Sequence, residues 1–196
     1  LAALARQYGA VVLSDEIHGP LTYGEFVPYL SCGKDAEETG ICITSTSKSW
    51  NLAGLKAAFL LAQSPEMNAL LNKLPEAMHW RTSILGAFTM AEAYLSGVEW
   101  LDATLRTLDE NRRHLVAELE RLLPAVKTHL PEAGYLAWLD ISELGLSNEE
   151  IFTKAKVALV PGPDMGGENY KNFARFNFAT SKEIITEALE RIQRAL

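Results

Sequence analysis

The chain has 196 residues, of which 48% are hydrophobic and 22% charged, with a formal net charge of -7. That length and apolar content suffice to bury one large core or two small ones. The acidic balance and the lack of any Lys/Arg cluster argue against a nucleic-acid surface, and no apolar run approaches the roughly 20 residues of a membrane span. Cys32 and Cys42 have neither metal-type spacing nor partners for a disulfide framework, which points to a reducing, cytoplasmic setting. His18, His79, His114 and His129 are scattered without ligand spacing, so no metal site is expected.

The opening LAALARQYGA has the pattern of an amphipathic helix ending at Gly9. No initiator Met, signal peptide or strand precedes it, so the chain is expected to be part of a longer protein. Three short apolar runs then read as buried strands: AVVLSDE (10–16), ICITST (41–46) and KAAFLLA (56–62). From Glu66 to about Leu123 the pattern is helical, with breaks at Pro75 and near Gly97. The stretch WLDATLRTLDENRRHLVAELERLL is expected to form one long helix linking two lobes. Beyond Pro124, strands are expected around AVKTHL, GYLAWLD and FARFNFA, and helices at SNEEIFTKAK and SKEIITEALERIQRAL. The order predicts an α/β fold followed by a smaller α+β domain, divided as residues 1–97 and 98–196.

Two of the strand ends carry chemistry: SDEIH after the first, and TSTSKSWNLAGLK (44–56) after the second. Thr44, Ser45, Thr46, Ser47 and Asn51 crowd around Lys48, a composition that favours turns over helix. Ligands in open α/β sheets collect at the carboxyl ends of strands, so Asp15 and Lys48 are expected to face one crevice. Taken singly, an Asp that closes a strand is most often a turn residue, and a Lys in a polar loop is most often solvated. Together they are what a pyridoxal phosphate site requires, an amine to hold the cofactor and a carboxylate to keep its pyridine nitrogen protonated. The glycine-rich PGPDMGGENY lacks the strand-to-helix setting of a dinucleotide site and reads as a loop. Trp100 and Trp138 fall on periodic apolar positions and read as core, while Trp50, beside Lys48, fits either core or site.

SDEIH followed by STSKSWNLAGLK resembles the fold-type I pyridoxal-phosphate-dependent enzymes of the aminotransferase class I/II superfamily. Within it the chain looks most like the MalY/PatB-type carbon–sulfur lyases, the cystathionine β-lyases. EWLDATLRTLDENRRHL, PEAGYLAWLD and VPGPDMGGENYKNFARFNFA are similar to further segments of that family. The resemblance implies the C-terminal part of a fold-type I transferase, with part of the large-domain sheet and a small α+β domain. It also implies pyridoxal 5'-phosphate as cofactor, an amino-acid substrate and a homodimer in which a neighbouring subunit completes the site. Carried onto this sequence, it makes Lys48 the covalent cofactor anchor and general base, and Asp15 the partner of the pyridine nitrogen. Ser45, Ser47 and Lys56 fall where the superfamily binds the cofactor phosphate, although Lys56 stands where an Arg is usual and lacks its bidentate fork. His18 takes the place of a Tyr that donates to the cofactor's ring oxygen, and Arg175 matches the arginine that clamps the substrate α-carboxylate. Met165 replaces an expected phenylalanine. The implied activity is β-elimination from cystathionine or an S-substituted cysteine, giving pyruvate, ammonia and a thiol. An aminotransferase is the alternative, and an aminotransferase-like effector domain of a transcription regulator is a second one. The N-terminal half of such an enzyme has no counterpart in this sequence, so the chain alone is expected to be inactive.

Overall fold

Gly9 stops the first helix because it takes the left-handed conformation that a Cβ disfavours (φ 62°), turning its N–H back to the Ala5 and Arg6 carbonyls. A computed structural model gives the structure of residues 1–196, with the side chain of His79 outside the described residues. The chain divides into two compact units, Leu1–Ala103 and Thr104–Leu196. The division falls inside one helix, Val98–Leu122, which starts directly after Gly97; the Gly97 N–H caps the preceding helix and its carbonyl accepts the Leu101 N–H (3.1 Å).

In the first unit, α1 (Ala2–Tyr8) leads into β1 (Val12–Asp15), and α2 (Lys34–Thr39) into β2 (Gly40–Thr44). A turn then leads to β3 (Phe59–Leu61). The strands lie in the order β1-β2-β3. β1 and β2 are parallel, with Asp15 opposite Ile43, and β3 returns antiparallel with Thr44 opposite Phe59. Parallel pairing therefore brings the carboxyl ends of β1 and β2 side by side, and the Glu16 N–H extends the ladder to the Ile43 carbonyl (2.8 Å). Helices α3 (Pro65–Leu71), α4 (Ala77–Trp80) and α5 (Ile84–Ser96) follow. Ser64 and Ser83 cap α3 and α5, each accepting a backbone N–H at 3.2 Å.

Helix α6 (Val98–Leu122) opens the second unit from Thr104 onward. Its buried Leu108, Arg112, Leu115, Leu119 and Leu122 recur every three or four residues, the single-face spacing of a core-facing helix. β4 (Leu136–Asp140) follows, then the short α7 (Asn148–Glu150), which runs on into a π-type turn at Ile151–Ala155. β5 (Val160–Pro161), α8 (Pro163–Gly166), β6 (Phe173–Asn177) and α9 (Lys182–Arg194) complete the unit. The antiparallel sheet runs β4-β6-β5. Along β4 and β6 alternate residues are buried, namely Ala137, Leu139, Ala174 and Phe176. Ile185, Leu189 and Ile192 of α9 are buried too. Fully burying a leucine such as Leu115 or Leu189 contributes about 1.5–3 kcal/mol. Buried Asn111 ties α6 to the end of β6, donating to the carbonyls of Phe178 (3.0 Å) and Thr180 (2.7 Å).

Three expectations need correction. AVKTHL forms no strand: it makes one bridge, Lys127 opposite Asp140, and past it the Thr128 hydroxyl, not a backbone N–H, bonds the Trp138 carbonyl. PGPDMGGENY is not wholly loop, since it contains α8 and a 3-10 turn at Glu168–Tyr170. Trp100 is 46% exposed and so lies outside the core, and Trp138 is half-buried on the open face of the second sheet.

Candidate active site

At the end of β1 the strand's alternation separates two adjacent carboxylates. Asp15 is exposed, its Oδ1 accepting only the Ile17 N–H (3.2 Å) among the bonds of the described residues. Glu16 instead accepts the Ser14 hydroxyl (3.0 Å) and the Tyr29 N–H (2.7 Å), and so pins the returning loop. Its charge also reaches buried Cys42 on β2, whose thiol is pushed up to about 12, first by burial, then by a hydrogen bond to Glu16 and the Glu16 and Asp15 charges.

The turn after β2 is built around Ser45. This residue is buried (1% exposed), and its hydroxyl accepts the Ser47 N–H (3.0 Å), donates to the Ala57 carbonyl (2.6 Å) and contacts the Ser47 hydroxyl (2.7 Å). Its bonding capacity is spent on the turn. Ser47 is half-buried and Lys48 is exposed. The Trp50 N–H closes the turn onto the Thr46 carbonyl (3.1 Å), leaving Lys48 at its centre. Ser49, fully buried, points its hydroxyl at the Ile17 carbonyl (3.5 Å) and so ties the Lys48 turn to the segment after Asp15. Lys56 ends the loop in a left-handed conformation (φ 53°), with its side chain exposed.

Electrostatics join the two strand ends. His18 is held below the ordinary histidine value, first by desolvation, then by the Lys48 ammonium, while Asp15 pulls in the opposite direction. An amine, a carboxylate and an imidazole therefore share one neighbourhood. Among the described residues neither Lys48 nor Asp15 forms an ion pair, whereas Arg6, Arg112 and Lys127 all find carboxylates. Two surface cavities, of about 480 and 470 Å³, border α1 and are lined by none of the candidate residues.

Arg175 belongs to the second unit. It lies on β6 opposite Trp138 and Val160, on the half-open face of the sheet. Trp138 stacks on Phe173 (centroids 5.6 Å, 11°), and Tyr170 stands edge-on to both (5.9 and 5.6 Å). Its guanidinium donates to the thioether of Met165 (3.6 Å), a weak acceptor, and forms no ion pair among the described residues. The sequence reading did not find Glu16, Ser49 or Tyr94. Adjacency to Asp15 and Lys48 marked the first two, but nothing local marks Tyr94.

The aminotransferase class I and II family model matches residues 1–192. The chain belongs to that family. Among its relatives, the cystathionine beta-lyase of Corynebacterium glutamicum is 38% identical over all of this chain and 53% of its own length. The cystathionine beta-lyase PatB of Bacillus subtilis is 33% identical over all of this chain and 52% of its own length. The crystal structure of cystalysin from Treponema denticola, which contains a pyridoxal 5'-phosphate cofactor, superposes with a TM-score of 0.90 at 26% identity, covering 99% of this chain and 51% of that one. The chain spans about half the length of the relatives it matches. Its fold is the corresponding part of a fold-type I aminotransferase-family enzyme, α/β in class.

Proposed function

We propose that this chain is the lysine-bearing part of a pyridoxal-phosphate-dependent carbon–sulfur lyase of the cystathionine β-lyase kind. The observation that carries the reading is the convergence of Lys48, Asp15 and His18 at two adjacent strand ends, with Lys48 and Asp15 unspent on ion pairs among the described residues. The donor set fits the cofactor: an amine for its aldehyde carbon, a carboxylate for its ring nitrogen, and hydroxyl and ammonium groups for its phosphate. When bound, pyridoxal phosphate supplies an electron sink that makes the Cα proton of an amino acid removable.

Lys48 would hold the cofactor through its amine and would serve as the general base for the Cα proton. Asp15 would keep a proton on the ring nitrogen, and His18 would donate to the ring oxygen. Ser47 and Lys56 would hold the phosphate. Ser45, buried beneath them, supports that contact by fixing Ser47 in its turn. Arg175 grips the substrate α-carboxylate with its planar fork. Loss of the Cα proton expels the thiolate from Cβ. Overall, an S-substituted cysteine and water become a thiol, pyruvate and ammonia. The homodimer and the cytoplasmic setting belong to the same proposal, the latter supported by two cysteines that are both free thiols.

The test is to incubate the full-length protein with cystathionine and follow thiol and pyruvate release, with Lys48→Ala as control. Pyruvate and thiol in equal amounts, abolished in the variant, support the lyase. Amino-group transfer to a keto acid without thiol release assigns the same residues to an aminotransferase, which shares every step up to Cα deprotonation.

A further inference from the structure

Trp50 lies two residues beyond Lys48, and the sequence leaves open whether it is core or site. Its surroundings in the first unit decide the matter. The backbone N–H closes the turn that carries Lys48, bonding to the Thr46 carbonyl (3.1 Å). The indole Nε1 donates to the carbonyl of Gly97 (2.9 Å), the residue capping α5. The ring meets Tyr94 of α5 edge-on (centroids 4.9 Å), and the Tyr94 hydroxyl reaches the Thr44 hydroxyl at the end of β2 (3.4 Å). Tyr94 also stands edge-on to Phe59 on β3 (5.9 Å). Residues from β2, the Lys48 turn, β3 and α5 thus meet around one indole.

Gly97 is shaped to receive it. A Cβ there would lie 2.5 Å from Trp50 Nε1 and 2.5 Å from the Ala93 carbonyl oxygen. The position needs glycine for close approach, not for an unusual backbone, since its φ is -88°.

We infer that Trp50 is a positioning residue for Lys48, fixing the turn against the α5 cap so that the amine stays in one place. The inference rests on the proposed role of Lys48 as cofactor anchor and base. An anchored turn matters to a general base because misplacing a reacting group by about 1 Å costs on the order of a hundredfold in rate.

The Gly97 carbonyl also accepts from the Leu101 N–H, which makes the test clean. Trp50→Phe removes the indole donor yet leaves the Gly97 carbonyl bonded and a ring beside Tyr94, so the variant is expected to fold. In the full-length holoenzyme we expect turnover with cystathionine to fall about tenfold to a hundredfold. KM is expected to stay unchanged, and the pH at which the bound cofactor's absorbance changes is expected to shift. Turnover and absorbance profile equal to the parent's, with only a lower melting temperature, would overturn the inference. Failure of the underlying reading has a separate signature: Lys48→Ala would still retain cofactor that borohydride fixes to the protein, whatever the Trp50 variants do.

Discussion

The Lys48 ammonium lies close enough to the His18 imidazole to lower its proton affinity, although the two residues sit on different loops. Desolvation is the larger cause of the lowered value and Lys48 the second, with Asp15 opposing both. Replacing Lys48 by Met should therefore raise the His18 titration midpoint, and Asp15→Asn should lower it further. Histidine ring resonances followed by NMR across pH give the answer. The sign of the linked stability follows as well. A folded-state value below the ordinary 6.5 means that the contribution is fully present above that pH and is lost as pH falls through the depressed value. His18→Gln should flatten that part of the stability profile.

The two cysteines should differ in reactivity. Cys42 is buried, with its thiol held up to about 12 by burial and then by Glu16, so almost none is thiolate at neutral pH; Cys32 is exposed. Alkylation with iodoacetamide under native conditions, read by peptide mass spectrometry, should label Cys32 and spare Cys42. Glu16→Gln should make Cys42 measurably faster, because both the acceptor charge and the pinned loop are weakened.

Asp15 and Arg175 should fail in different ways. In the full-length enzyme Asp15→Asn should lower kcat, since an unprotonated ring is a poor electron sink, with little change in KM. Arg175→Ala should raise KM by about 1.5–3 kcal/mol of lost carboxylate binding, roughly tenfold to a hundredfold, with kcat less affected. Steady-state kinetics on both variants separate the roles. An unchanged KM in Arg175→Ala would mean that the carboxylate is held elsewhere.

These predictions draw unequally on the sequence. The strand ends were legible because each apolar run stops at polar residues, and parallel pairing of β1 with β2 then places Asp15 and the Lys48 turn side by side. The α1 stop was legible too, since a glycine after a periodic run has one common use. Tyr94 and Gly97 were not, because their link to Trp50 spans more than forty residues and no local pattern encodes it. Nor was the two-residue β5, which is too short to show an alternation and exists only because β6 offers it an edge. Ser45 read as a phosphate ligand from its place in the motif. Its burial beneath Ser47 is a tertiary fact.

The chain by itself should neither hold cofactor tightly nor turn over substrate. By the proposed roles it supplies the Lys48 amine, the Asp15 carboxylate, the His18 imidazole, the Ser47 hydroxyl and the Lys56 ammonium, and it spans about half the length of its relatives. Each lost hydrogen bond or stacking contact costs about 1–3 kcal/mol. The outer edge of β1 has no strand partner among the described residues, and Leu13 (62%), Leu85 (69%) and Phe88 (71%) are exposed. Self-association should follow. Dialysis of the isolated 196-residue chain, then absorbance, a pyruvate assay and sedimentation, should show a colourless, inactive and aggregating protein. A retained yellow cofactor with turnover would contradict this.

The most direct test of the central claim is to reduce the full-length holoprotein with borohydride and map the peptide that retains the cofactor. The account predicts a single modified residue, Lys48. Labelling of Lys56 or Lys73 instead, or no covalent label at all, would contradict it.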